Sequence, residues 1–138
     1  MTPPARYDDL SALFINCTLK PSPHTSHTDG LMAVSRAIME KQGVAVNTVR
    51  LVDHTIAPGV YPDMTEHGFA RDDWPRIWKQ VAEADILVVG TPIWLGEESS
   101  IARQLIERLY AHSGQRNDPR TKNRVAQFSD STAMLINS

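Results

Sequence analysis

Four consecutive apolar residues, Ile86, Leu87, Val88 and Val89, constrain the fold more than any other feature of this chain. A strand with one wet face alternates apolar and polar side chains. This one has no polar face to offer water, so it suits a parallel sheet covered on both sides. Just beyond it the chain leaves the sheet through Thr91, Pro92, Ile93 and Trp94, with Gly96, Glu97 and Glu98 behind them. A mere turn would use small polar residues, whereas here a proline and an indole stand at the strand end.

The rest of the chain supplies partners for such a strand. Residues 11–16, "SALFIN", form a short apolar run, the expected first strand. Leu31, Val34, Ile38 and Met39 recur at helical spacing, and Gly43 is a natural stop. Residues 44–51, "VAVNTVRL", have the β-branched content of a second strand. Residues 53–71 form a long irregular connection, the kind of loop that is either functional or mobile. Asp73 is placed to cap the next helix, with Trp74 and Pro75 at its first positions. Ile77, Trp78, Val81 and Ala82 would be that helix's apolar face, so Trp74 and Trp78 read as a core stripe. A third helix over residues 100–112 would bury Ile101, Leu105, Leu109 and His112 along one side. The order is β-α-β-α-β-α, which predicts an α/β fold with a parallel sheet and right-handed crossovers. Ligands of such sheets bind beyond the carboxyl ends of the strands, where the winding switches direction. Segments 17–28 and 90–100 leave strands at that edge.

Composition narrows the partners. The 138 residues suffice for one domain, and 41% hydrophobic content for a packed core. A net charge of -2 offers no attraction to nucleic acid or an anionic membrane. No apolar run approaches the roughly 20 residues of a membrane helix. The N-terminus lacks the apolar centre of a signal peptide. The single cysteine, Cys17, precludes an internal disulfide and fits a reducing compartment, so a cytoplasmic location is expected.

The first loop carries Thr18, Lys20, Ser22, Thr25, Ser26 and Thr28 into a helix N-terminus, whose free N–H groups and partial positive charge favour phosphate. It matches neither the Walker pattern nor the dinucleotide glycine fingerprint, since Gly30 is its one glycine. By itself it serves equally as a polar surface loop with Thr28 as the helix cap. Other polar residues have plainer roles. The five histidines show no metal-ligand spacing. His112 suits the negative end of a helix, and Glu97 and Glu98 the positive end. Cys17 has no CxxC or histidine partner and reads as a buried structural thiol. Asp72 and Asp73 precede a helix instead of ending a strand, which argues against a phospho-acceptor pair.

Taken together, "NCTLKPSPHTSHTDGLM" and "VVGTPIWLGEESS" resemble the flavodoxin-like flavoproteins, most closely their NAD(P)H-dependent FMN reductase branch. The resemblance covers about residues 10–118 and includes "HSGQRND". It implies a three-layer sheet and an FMN site. Thr18, Lys20, Ser26 and Thr28 would hold the phosphate, with His27 between the last two. Thr91, Pro92, Ile93, Trp94 and Leu95 would lie against the ribityl chain and the isoalloxazine ring, with Gly96 allowing close backbone approach. It further implies hydride transfer from NAD(P)H through the flavin to a quinone-, flavin- or metal-type small-molecule acceptor, no obligatory catalytic side chain, and a homo-oligomer. A flavodoxin-like electron carrier and a non-catalytic remnant are the alternatives, and the weak net charge counts against the carrier. The chain departs from the family after Asp118. Residues 124–128 or 133–136 could supply one more strand, but not two strands and a helix, and the family's later glycine-rich loop is missing. The expectation is an incomplete FMN-binding domain over 8–118, lacking its last one or two strands, with an atypical tail over 119–138 from a truncated or frame-shifted product. Strand three would then be an unpaired apolar edge on a marginally stable remnant that binds FMN weakly.

Overall fold

Among the described residues three parallel strands form the sheet: β1 (Ser11–Asn16), β2 (Ala45–Arg50) and β3 (Ile86–Gly90), in the order β2-β1-β3. The computed structural model describes residues 6–113. The expected strand after Asp118 and the tail over 119–138 lie outside the described residues. The helices are α1 (His27–Lys41), α2 (Trp74–Glu83) and α3 (Ser100–Tyr110). The chain steps from β1 to β2 on one side, then crosses back over β1 to β3. Right-handed crossovers in opposite directions require covering helices on opposite faces, and the core obeys. Alternate residues of β1 point to the two faces. Leu13, Ile15 and Cys17 pack with Trp74 and Ile77 of α2 and with Ala102, Leu105 and Leu109 of α3. Ala12 and Phe14 pack with Met32 of α1 and Val88. β1 is thus buried on both faces. Among the described residues β3 has a strand neighbour on one side only.

Helix α1 departs from its expected burial. Leu31, Val34 and Ile38 are exposed, while Thr28 and Met32 are buried and Met39 packs against the core. The apolar stripe is a flank of the helix rather than its inward face. The other flank is polar, with Arg36 donating to Thr48 Oγ1 on β2 and lying near Asp29 and Glu40. The cap is Ser26, not Thr28: its hydroxyl accepts from Asp29 N at 3.1 Å. Gly90 explains how closely α1 meets the sheet. A Cβ there would lie 2.3 Å from Met32 Sδ and 2.9 Å from Thr28 Cγ2. The absent side chain lets the first turns of α1 settle on the end of β3.

The connection between β2 and α2 is organised around a buried ion pair. It contains two short 3-10 turns, Leu51–Asp53 and Met64–His67. The Asp72 carboxylate accepts from the Met64, Trp74 and Ala57 N–H groups and from Arg108 Nη2 at 2.8 Å. Arg108 also donates to the carbonyls of Ala57, Tyr61 and Pro62. The expected cap, Asp73, sits at the N-cap position of α2 but makes no capping bond. Its carboxylate takes Thr55 N and Arg71 instead, while Asp72 satisfies Trp74 N. His112 is likewise a core residue: it stacks on Trp78 at 3.7 Å and accepts from Trp74 Nε1 at 2.9 Å.

Glu97 and Glu98, expected to open α3, instead form β5 (Glu97–Glu98), paired antiparallel with β4 (Ile93–Trp94). Glu98 meets Arg103 of α3 at 2.7 Å. The helix cap is Ser99. Its hydroxyl accepts from Ala102 N at 3.1 Å and donates to Cys17 O at 2.8 Å, tying the start of α3 to the end of β1. Ser99→Ala is expected to cost about 1–2 kcal/mol, because it removes a helix cap and leaves a buried carbonyl unpaired. Urea unfolding checks this, and an unchanged midpoint would show that neither bond matters.

Candidate functional site

The winding reverses between β1 and β3, and both strands end at the same rim. Cys17 N donates to Gly90 O at 2.8 Å, so the two exits leave side by side. Beyond them lies a cleft of about 350 Å³ lined by Thr18, Leu19, Lys20, His27, Thr28, Pro92 and Trp94. The two segments that sequence reasoning paired therefore meet across one cleft.

The first wall is built from the end of β1. Asn16, almost fully buried, accepts from Thr18 N at 3.0 Å through Oδ1 and donates from Nδ2 to Ser26 Oγ at 3.3 Å. One side chain thereby shapes the turn out of β1 and meets the entry to α1. Thr18 Oγ1 accepts from Lys20 N at 3.3 Å. Ser26 does not line the cleft, since its hydroxyl is spent on the cap. His27 and Thr28 occupy the first turn of α1, where main-chain N–H groups have no intrahelical acceptor. The Cys17 thiol is pushed up to about 12 by burial, so it stays protonated and inert at neutral pH.

The second wall is the hairpin after β3. Its two-residue turn, Leu95-Gly96, has φ values of 54° and 79°, the doubly left-handed geometry that suits the strand twist of a tight hairpin. A Cβ on Gly96 would meet nothing, so the turn, not close approach by a neighbour within this chain, requires glycine there. Leu95 is fully exposed at the tip. Thr91 is fully buried: its Oγ1 accepts from Ser99 N at 3.1 Å and donates to Pro92 O at 2.9 Å, closing the base of the hairpin. Ile93 is half-buried opposite Glu98. Of the hairpin's expected site residues, Pro92 and Trp94 line the cleft, and the indole is 53% exposed.

Six of the expected site residues thus share the cleft: Thr18, Lys20, His27, Thr28, Pro92 and Trp94. Ser26, Thr91, Ile93, Leu95 and Gly96 surround it as cap, hairpin base, strand and turn. Asn16, Leu19 and Gly90 escaped sequence reasoning. An asparagine closing an otherwise apolar strand was the available signal for Asn16. Among the described residues no three His, Cys, Asp or Glu side chains come together as a metal-ligand set.

The profile of the NADPH-dependent FMN reductases matches residues 11–134. The chain belongs to that family. Its similarity to the 8-demethyl-8-aminoriboflavin-5'-phosphate synthase of Streptomyces davaonensis is 37% identity over 105 residues, 72% of this chain and 41% of the relative. Against the divalent metal cation transporter MntH of Mycobacterium bovis it is 57% identical over 115 residues, 83% of this chain and 17% of that protein. The chain therefore spans well under half the length of these curated relatives. Among the described residues no helix is long and apolar enough to cross a membrane. The crystal structure of RosB with bound OHC-RP (8-demethyl-8-formylriboflavin-5'-phosphate) superposes with a TM-score of 0.65 at 37% identity, over 72% of this chain and 42% of that one. A solved flavone reductase shares the fold, with a TM-score of 0.57 at 16% identity, covering 91% of this chain and 38% of that one. The flavodoxin-like architecture of this family member follows from these likenesses and from the β2-β1-β3 order, which is the first part of the flavodoxin-like 2-1-3-4-5 sheet.

The residues present fit the family's cofactor. A phosphate asks for hydroxyls, a cation and free N–H groups, and a flat ring asks for a flat apolar wall. Thr18, Thr28, Lys20 and the first turn of α1 meet the first demand, and Pro92 with Trp94 the second.

Proposed function

We propose that this chain holds FMN in the cleft between the β1–α1 loop and the β4–β5 hairpin, and acts as an NAD(P)H-dependent oxidoreductase. The observation that carries the reading is the meeting of Lys20, Thr18 and Thr28 with the half-exposed Trp94 across one cleft at the sheet's switch point. The relative named for a riboflavin-5'-phosphate supports recognition of a ribityl phosphate. The Lys20 ammonium and the Thr18 and Thr28 hydroxyls would bind the phosphate, and the Trp94 indole and Pro92 ring would orient the isoalloxazine. FMN held there would supply the redox chemistry, hydride transfer between NAD(P)H and a quinone-, flavin- or metal-type acceptor. Side chains here position and shield, and no acid or base is assigned. A cytoplasmic location and a homo-oligomer belong to the same reading, the first supported by the use of a single cysteine.

The test uses the purified chain and added FMN. Binding quenches flavin fluorescence, and NADPH or NADH without a second protein then bleaches the visible band. Binding without bleaching would make the chain an electron carrier in place of a reductase. Absence of binding at millimolar FMN would end the flavin reading.

A further inference from the structure

The loop that carries Lys20 is held from the second strand. Residues 19–25 are all exposed, and one main-chain bond, His24 N to Pro21 O at 3.0 Å, closes a turn within them. A segment of this kind has little burial to fix it, and ordering it costs conformational entropy. Its further anchors come from the carboxyl end of β2 and the short turn behind it. Arg50 Nη1 donates to Lys20 O at 3.1 Å and to His24 O at 2.9 Å. The Asp53 carboxylate accepts from Ser22 N at 2.8 Å and from Ser22 Oγ at 2.5 Å. Residues 20, 22 and 24 are thus pinned by two oppositely charged side chains three positions apart.

Two features separate this clamp from ordinary surface polarity. First, Arg50 Nη1 donates to two carbonyls of one short loop, a geometry that fixes the path of the loop. Second, neither Arg50 nor Asp53 lines the cleft, whereas Lys20, itself held by Arg50 through its carbonyl, does. The Ser22 hydroxyl and N–H, with Arg50 nearby, hold the Asp53 carboxyl below its ordinary value, so the acceptor stays ionised at neutral pH.

We propose that Arg50 and Asp53 are positioning residues that set how tightly the cleft holds a ligand's phosphate, and so its preference for FMN over riboflavin. The inference rests on the flavin reading of the cleft. The ring wall belongs to the β4–β5 hairpin, a different segment from the loop that the clamp holds, so loosening the loop weakens the grip on phosphate and spares the grip on the ring. Pre-ordering the loop removes an entropic cost that binding would otherwise bear.

The experiment titrates FMN and riboflavin separately into the wild-type chain and into Arg50→Ala, Arg50→Lys and Asp53→Ala. Expected is an FMN affinity about tenfold weaker for each alanine variant, the scale of one or two hydrogen bonds. Riboflavin affinity should stay within about twofold, and Arg50→Lys should recover much of the FMN loss, because an ammonium can still reach a carbonyl. Circular dichroism and thermal melts establish that each variant is folded at the temperature used, and Ser22→Ala, a milder change on the loop itself, should shift FMN in the same direction. Unchanged FMN affinity in both alanine variants, or equal weakening of FMN and riboflavin, overturns the inference while leaving the flavin site standing. A wild-type chain that binds neither compound overturns the site reading, and this inference with it.

Discussion

Arg108→Ala is expected to cost about 3–5 kcal/mol of folding stability, the range for breaking a buried ion pair by removing one partner. Both side chains of the Arg108–Asp72 pair are fully inaccessible to solvent, 2.8 Å apart. Removing the guanidinium strands a carboxylate that cannot be rehydrated without opening the core. It also leaves the carbonyls of Ala57, Tyr61 and Pro62 without their donor and removes a cation from the face of Trp74, 5.7 Å away. The long connection between β2 and α2 should loosen with it. Urea unfolding and amide exchange over residues 55–66 are the measurements. A loss under about 1 kcal/mol would show that the connection is held by its other contacts. Arg108→Ala combined with Asp72→Asn should be milder than Arg108→Ala, since no charge is then stranded and the amide oxygen can still accept main-chain N–H groups.

The same pair gives the chain a pH dependence. Burial pushes the Asp72 carboxyl up, but the Met64, Trp74 and Ala57 N–H groups and Arg108 outweigh it and leave the group below its ordinary 3.8. A carboxyl depressed by folding stabilises fully above its unfolded value, and the contribution fades as pH falls through the folded one. Acid unfolding should therefore set in below about pH 4, and Asp72→Asn should flatten the stability profile in that window.

Trp94→Ala is expected to weaken FMN binding by about tenfold to a hundredfold, the scale of losing an aromatic stacking partner. Folding stability should hardly move. With half of its surface free, the indole has little burial to lose, unlike Trp74, which is fully enclosed. Trp94→Phe should keep most of the affinity, because a smaller flat wall remains. Fluorescence titration with FMN and thermal melts separate the two roles. Unchanged affinity with a lower melting temperature would make Trp94 a packing residue.

Much of this molecule was legible along the chain. The bounds of β1 were read correctly because an apolar run ending in a turn signal is a local pattern. So was the common rim of the two site loops, since right-handed crossovers leave few ways to wind three parallel strands. Trp94 stood out because an indole at a strand exit has no local structural duty. What was missed or misread shares one cause. Nothing local marks Arg108, and Asp72, 36 positions away, meets it only in the fold. Asp73 looks like a cap until Thr55 claims its carboxylate. Leu31, Val34 and Ile38 follow the helical period, yet period alone does not say which side of an amphipathic helix meets the sheet.

Periodicity, strand-end chemistry and the handedness of crossovers thus pointed from sequence alone to the class of fold and to the rim where segments 17–28 and 90–100 meet, and the family resemblance pointed to six residues that line the cleft there. Which polar groups became core, which loop residue is pinned by which charge, and which apolar stripe stays wet were decided by the tertiary structure. Hydrogen bonds and buried charges are satisfied by whatever the fold brings within about 3 Å, and separation along the chain says almost nothing about that distance.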